Sequence, residues 1–126
     1  MKALQAKTSG NYEVIVVNNA STDGTTEFLN EQQTAGVLRH IVNSENKGFA
    51  HACNQGAQAA RGSLVLFLNN DTQVTANWLE PMVQAAQQPK GGIVGAKLLY
   101  ADNRIQHAGI GFIKGIPDHP HRFAAS

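Results

Sequence analysis

The strongest constraint in this chain is a rhythm. Short aliphatic runs alternate with helix-patterned segments, and two of the runs stop abruptly on clusters of asparagine. Residues 12–17, Tyr-Glu-Val-Ile-Val-Val, predict a strand that ends at Asn18-Asn19. Residues 64–68, Leu-Val-Leu-Phe-Leu, predict a second that ends at Asn69-Asn70-Asp71-Thr72. The latter is apolar at every position, the pattern of a strand covered on both faces in a parallel sheet.

Helices fill the intervals. Ser21-Thr22-Asp23-Gly24 opens the first, with Asp23 expected as its N-cap and Phe28 and Leu29 on its apolar side, and it ends near Gly36. Residues 37–42 are a short strand, and 43–47 a polar loop. Residues 48–60 form the next helix, with Phe49, Cys53, Ala57 and Ala60 about one turn apart and Arg61-Gly62 as its stop. A third helix spans 76–88, carrying Trp78, Leu79, Met82, Val83 and Ala86 on one side, and Pro89 ends it. Strands follow at 93–100 and 105–113 around the turn 101–104, and 117–126 is irregular. Repeated strand–helix units predict an α/β fold: a three-layer α/β/α sandwich with a mostly parallel sheet.

In such sheets ligands sit beyond the carboxyl ends of the strands. Two of those ends carry the densest polar clusters, Asn18 to Asp23 and Asn69 to Thr72. Asp71 is placed to hold a hard divalent cation against a diphosphate, or to bond its own turn backbone. The amides of Asn18 and Asn19 suit a nucleobase edge, or an unusual turn conformation. Lys47-Gly48 precedes a helix N-terminus that attracts phosphate, or forms an ordinary loop with a solvated lysine.

Other features exclude alternatives. Lys and Arg number 10 and Asp and Glu 9, so the net charge of +1 offers no electrostatic drive toward nucleic acid. The single cysteine, Cys53, excludes an internal disulfide and reads as a small buried hydrophobe. The longest apolar run, 64–68, is far too short to cross a membrane, and the first residues lack a signal-peptide pattern, so a cytoplasmic protein is expected, with a peripheral place at the inner membrane as the variant. His119-Pro120-His121 reads as a solvated segment, and His107 as a core or rim residue. Gly109-Ile110-Gly111 is no dinucleotide fingerprint. The sequons Asn19-Ala20-Ser21 and Asn70-Asp71-Thr72 carry little meaning without a secretory signal.

Several segments resemble family 2 glycosyltransferases. Glu13-Val-Ile-Val-Val-Asn-Asn-Ala-Ser-Thr-Asp-Gly-Thr25 is similar to the family's E-V-I-V-V-D-N-x-S-x-D-G-T segment. Asn46-Lys-Gly-Phe-Ala-His-Ala-Cys-Asn-Gln-Gly56 resembles its N-x-G-F-A-x-A-x-N-x-G segment. Leu66-Phe-Leu-Asn-Asn-Asp-Thr72 with Trp78-Leu79 resembles its metal-binding turn and following helix. Residues 93–100 and 105–109 resemble a rhamnosyltransferase-like branch.

The resemblance implies a GT-A fold of the nucleotide-diphospho-sugar transferase type, present here as a partial, donor-binding domain over 1–126. It implies a bacterial-like enzyme of cell-wall or polysaccharide synthesis that transfers sugar from a UDP- or dTDP-sugar to a glycan or lipid-linked acceptor, with Mg²⁺ or Mn²⁺. Asn18 takes the position of an aspartate that contacts the nucleobase, beside Asn19. Lys47, Gly48 and Asn54 lie on the segment lining the nucleoside pocket, where Cys53 replaces a common arginine. Asn69 and Asn70 precede Asp71, the expected metal ligand. The family's opening central strand, and its downstream G-G-F-D-E stretch and E-D pair that supplies the base, have no counterpart in these residues. Either the sheet closes up, or a homo-oligomer or other partner supplies the strand, or the chain is a piece of a larger enzyme, and the last is the leading expectation. The alternative is a non-catalytic nucleotide-binding module of the same fold. Glu80, Asp102 and Asp118 are the remaining acids after Asp71, and Asp118 is the one with a possible reach to an acceptor.

Overall fold

In order the elements are α1 (Lys2–Lys7), β1 (Ile15–Asn19), α2 (Thr25–Thr34), β2 (Arg39–Asn43), α3 (Phe49–Ala59), α4 (Leu79–Ala86), β3 (Leu98–Leu99), β4 (Ile105–His107), β5 (Gly111–Ile113) and β6 (Ile116–Asp118). The computed structural model describes residues 1–114 and 116–126. The chain forms two compact units, Gly10–Gln73 and Met1–Ser9 with Val74–Ser126.

In the first unit the β-branched residues of β1 pair in parallel with β2, in the register Ile15 to Arg39 through Asn19 to Asn43. Successive side chains of a strand point to opposite faces. Asn18 bonds Thr26 of α2, whereas the neighbouring Val17 lies under Gly56 of α3 at a spacing that a Cβ there would narrow to 3.4 Å. The two helices therefore cover opposite faces of β1, which makes this unit layered in the α/β/α sense. Leu29 of α2 and Leu38, just before β2, are its buried apolar residues, at 3% and 5% exposure.

The mixed α/β class with a parallel pair agrees with the expectation, but several boundaries move. The first strand lies at 15–19, not 12–17. Tyr12 and Glu13 are exposed, and Glu13 is used instead to anchor Arg39 and Arg61. Asn18 and Asn19 stay in the ladder because their side chains find partners. The second strand shifts likewise, from 37–42 to 39–43. Gly24, at φ 81°, is the N-cap of α2, and Asp23 instead accepts from the Thr25 amide and hydroxyl. Phe28 and Phe49, expected on apolar sides, are exposed.

The run 64–68 forms no strand. A strand exists only when a neighbour accepts its backbone groups, and among the described residues β1 pairs with β2 alone. Residues 61–73 are exposed throughout.

In the second unit, Trp78 Nε1 donates to Thr8 Oγ1 at 3.0 Å, fastening the end of α1 beside the start of α4. The helix α4 runs over 79–86 rather than 76–88; Pro81 falls in its first turn, where its missing N–H costs nothing. Of the strand expected at 93–100 only Leu98–Leu99 pairs, antiparallel to β4. The strand expected over 105–113 is broken at Gly109, whose φ of 107° suits glycine, and its second part pairs with β6. The tail is also more ordered than expected. Beyond β6, Phe123 N donates to Ile105 O and Ile105 N to Ala124 O, and the Tyr100 and Phe123 rings stack at 5.5 Å.

Candidate functional site

Parallel pairing brings the ends of β1 and β2 side by side, and both end on asparagine. Asn18, 3% exposed, donates through Nδ2 to Thr26 Oγ1 at 2.8 Å and accepts from Ser21 N at 2.9 Å. It thereby fixes the loop 20–24 and the first turn of α2. Asn19 faces the other way. Its Nδ2 donates to Asn46 Oδ1 at 2.7 Å, and its Oδ1 accepts from Lys47 N and Asn43 Nδ2, each at 3.1 Å. Asn46 Oδ1 also accepts from Gly48 N at 2.9 Å.

Asn43, 7% exposed, is the hub of this group. It and Gln55 of α3 exchange two side-chain bonds, of 2.8 and 2.9 Å. Buried amides are costly unless satisfied, and here each supplies the other. The result is a rigid polar shelf built by β1, β2 and α3, with the loop 46–48 held over it. Gly48 has φ 84° and ψ 164°, a conformation open only to glycine.

The remaining candidates are exposed. Lys47 stands on the fastened loop and Asn54 on α3. Asn69, Asn70 and Asp71 lie in a turn closed by Thr72 N donating to Asn69 O at 3.1 Å. Asp71 enters no ion pair among the described residues. No group of three or more His, Cys, Asp and Glu side chains gathers among the described residues, so any cation would draw most of its ligands from a bound molecule and water.

Elsewhere the titratable groups are tied locally. The Arg61 amide, donating to Glu13 at 2.6 Å, holds the Glu13 carboxyl below its usual range, helped by Arg39. The Thr25 hydroxyl does the same for Asp23. Asp102, expected as a turn residue, bonds the Arg104 amide and guanidinium and is also lowered, mainly by the amide. Glu80 accepts from Gln84, and Asp118 from the His119 amide. His119 is not simply solvated: its Nδ1 lies 3.0 Å from Nδ1 of His107. A shallow cleft of about 370 Å³ beside Trp78 and Met82 contains none of the candidate residues.

Asn43, Asn46 and Gln55 were absent from the sequence-derived set. One signal for Asn43 was present, since it ends its strand as Asn18-Asn19 ends the other. Gln55 had none, because its pairing depends on where α3 crosses the sheet.

The Glycosyl transferase family 2 model matches residues 1–109. The chain is 39% identical over 116 residues to the uncharacterized protein y4gI of Sinorhizobium fredii, covering 89% of this chain and 13% of that protein. It is 38% identical over 111 residues to the O-antigen biosynthesis protein RfbC of Myxococcus xanthus, covering 86% and 9%. To the putative glycosyltransferase EpsH of Bacillus subtilis it is 28% identical over 86 residues, covering 68% and 25%. The chain thus spans a quarter or less of the length of these three relatives. No solved structure matches it. No helix among the described residues is long and apolar enough to cross a membrane.

Proposed function

Because the chain belongs to glycosyl transferase family 2, we propose that residues 10–73 bind the nucleoside-diphosphate part of a sugar donor at the polar shelf where β1 and β2 end. The observation that carries this reading is the amide group Asn18, Asn19, Asn43 and Asn46, which locks two loops at the carboxyl edge of a parallel pair. Asn18 and Asn19 act as positioning residues, since their own amides are engaged within the chain. The exposed groups, Lys47, Asn54, Asn69, Asn70 and Asp71, remain for the ligand. Lys47 supplies positive charge for phosphate, and the amides supply donors and acceptors.

A family 2 enzyme implies a hard divalent cation. Asp71, in no ion pair among the described residues, would hold Mg²⁺ or Mn²⁺, with diphosphate oxygens and water supplying the other ligands. When bound, the cation neutralises charge on the departing diphosphate.

In the reaction, an acceptor hydroxyl attacks the anomeric carbon and the nucleoside diphosphate leaves, while a base takes the hydroxyl proton. Glu80, Asp102 and Asp118 each accept hydrogen bonds from their own chain neighbours. The similarity to an O-antigen biosynthesis protein supports a glycan or lipid-linked acceptor in a bacterial polysaccharide, and residues 93–109 support the rhamnosyltransferase-like branch. Titration calorimetry with UDP and dTDP, each with and without Mn²⁺, tests the reading. Weak binding strengthened by metal is expected; heats equal to dilution for both nucleotides overturn it.

A further inference from the structure

The second unit holds a pair of imidazoles that the donor-binding reading does not use. Nδ1 of His107 and Nδ1 of His119 stand 3.0 Å apart, with the ring centroids 5.0 Å apart and the planes inclined at 75°. Two ring nitrogens at that distance cannot both carry a proton, and two bare lone pairs repel. Either a single proton lies between them, or a cation does.

Both rings stand on fastened backbone. His107 ends β4, opposite Leu98 of β3. A Cβ built on Gly95 would lie 3.9 Å from its Nε2, so that side of the ring is packed and Nδ1 is the nitrogen turned toward His119. His119 directly follows β6. Its amide donates to Asp118 Oδ1 at 2.8 Å, and its carbonyl accepts from Arg122 N at 3.1 Å. Phe123 N donates to Ile105 O at 2.8 Å and Ile105 N to Ala124 O at 2.9 Å, which ties this turn back to β4. Ligands already held in place lose little freedom when an ion arrives. Neutral imidazole is also the commonest metal ligand among side chains.

We propose that His107 and His119 form a two-imidazole site for a divalent transition cation, filled best by Cu²⁺, which clips β4 to the turn after β6. Metal–imidazole bonds measure about 2.0–2.1 Å. Two such bonds to nitrogens 3.0 Å apart meet at about 90–100°, the angle between neighbouring positions of a square-planar or tetragonal shell. A tetrahedral ion such as Zn²⁺ needs a spacing of about 3.3 Å. Cu²⁺ also heads the affinity order of the first-row divalent ions. On binding, the ring that carried its proton on Nδ1 carries it on Nε2 instead, and both Nδ1 lone pairs go to the metal. Water fills the other positions, since no third His, Cys, Asp or Glu joins the pair among the described residues. Mg²⁺ prefers oxygen ligands, so the proposal rests neither on the cation assigned to Asp71 nor on the glycosyl-transfer reading.

Titration of the full chain with CuCl₂ in a non-chelating buffer, followed by calorimetry and electron paramagnetic resonance, tests it. One tightly held ion per chain is expected, with a spectrum coupled to two imidazole nitrogens. That spectrum is read on the unaltered chain and does not depend on how any variant folds. His107→Gln and His119→Gln should each weaken binding at least about tenfold, whereas His121→Gln should leave it unchanged. Cu²⁺ should raise the Tm of the unaltered chain but of neither weakened variant. Excess Mg²⁺ should not displace it. Absence of saturable binding, a single imidazole nitrogen in the spectrum, or affinity that survives both substitutions overturns the proposal. An equal loss on His121→Gln and His119→Gln overturns it too, and moves the ion to the tandem histidines of the tail.

Discussion

Asn43 and Gln55 clasp the end of β2 to α3 through two reciprocal amide bonds, of 2.8 and 2.9 Å. The clasp also holds Asn19, and through it the loop that carries Lys47. Removing one partner leaves a buried amide unsatisfied. Asn43→Ala should therefore lower unfolding free energy by about 1–3 kcal/mol. Gln55→Ala should cost less, because Asn43 keeps its bond to Asn19. Urea unfolding of both variants and of the double variant measures the coupling, and fully additive losses would show that the pair does not act together.

Gly48 occupies backbone space closed to other residues. Gly48→Ala should cost about 1–3 kcal/mol of stability or displace the loop 46–48. Nothing lies within 4 Å of a Cβ built there, so the penalty is conformational rather than steric. Thermal unfolding with nucleotide titration checks this; an unchanged Tm and unchanged UDP affinity would contradict it.

Asp71 is assigned to the metal-dependent part of donor binding. Asp71→Ala should abolish the strengthening by Mn²⁺ and leave metal-free nucleotide binding unaltered. Calorimetry at saturating and zero Mn²⁺ separates the two, and metal enhancement that survives the substitution removes Asp71 from the role.

Glu13 couples folding to pH. Its carboxyl is held below the usual range by the Arg61 amide and by Arg39. A group whose pKa is lowered on folding stabilises the native state above its unfolded value, and loses that contribution as pH falls through its folded value. Stability should therefore decline on the acid side of about pH 4. Glu13→Gln should flatten this part of the profile. Urea midpoints across the acid range give the answer, and an unchanged slope would assign the decline to other carboxylates.

The polar shelf was partly legible in the sequence. Asn18 and Asn19 halt an apolar run at a strand's carboxyl end, where amides suit a nucleobase edge or an unusual turn, and that singled them out. Their partners were not legible, because Asn19 meets Asn43 through strand register and Asn46 through the path of a loop. A motif resemblance marked Lys47, Gly48 and Asn54 as candidates; that Gly48 holds a conformation suited to glycine is read only from its dihedral angles.

Local pattern by itself determined the α/β class and the helices α2 and α3, and a motif resemblance pointed to the family; that β1 pairs with β2 came from the structure. Side-chain periodicity and cap chemistry act over a few residues, and the chain writes them directly. The tertiary structure alone decided the fate of Leu64–Leu68. Its sequence reads as a buried strand, yet burial and ladder bonds belong to a neighbour as much as to the segment. No strand among the described residues pairs with it, and its five aliphatic and aromatic residues stay exposed.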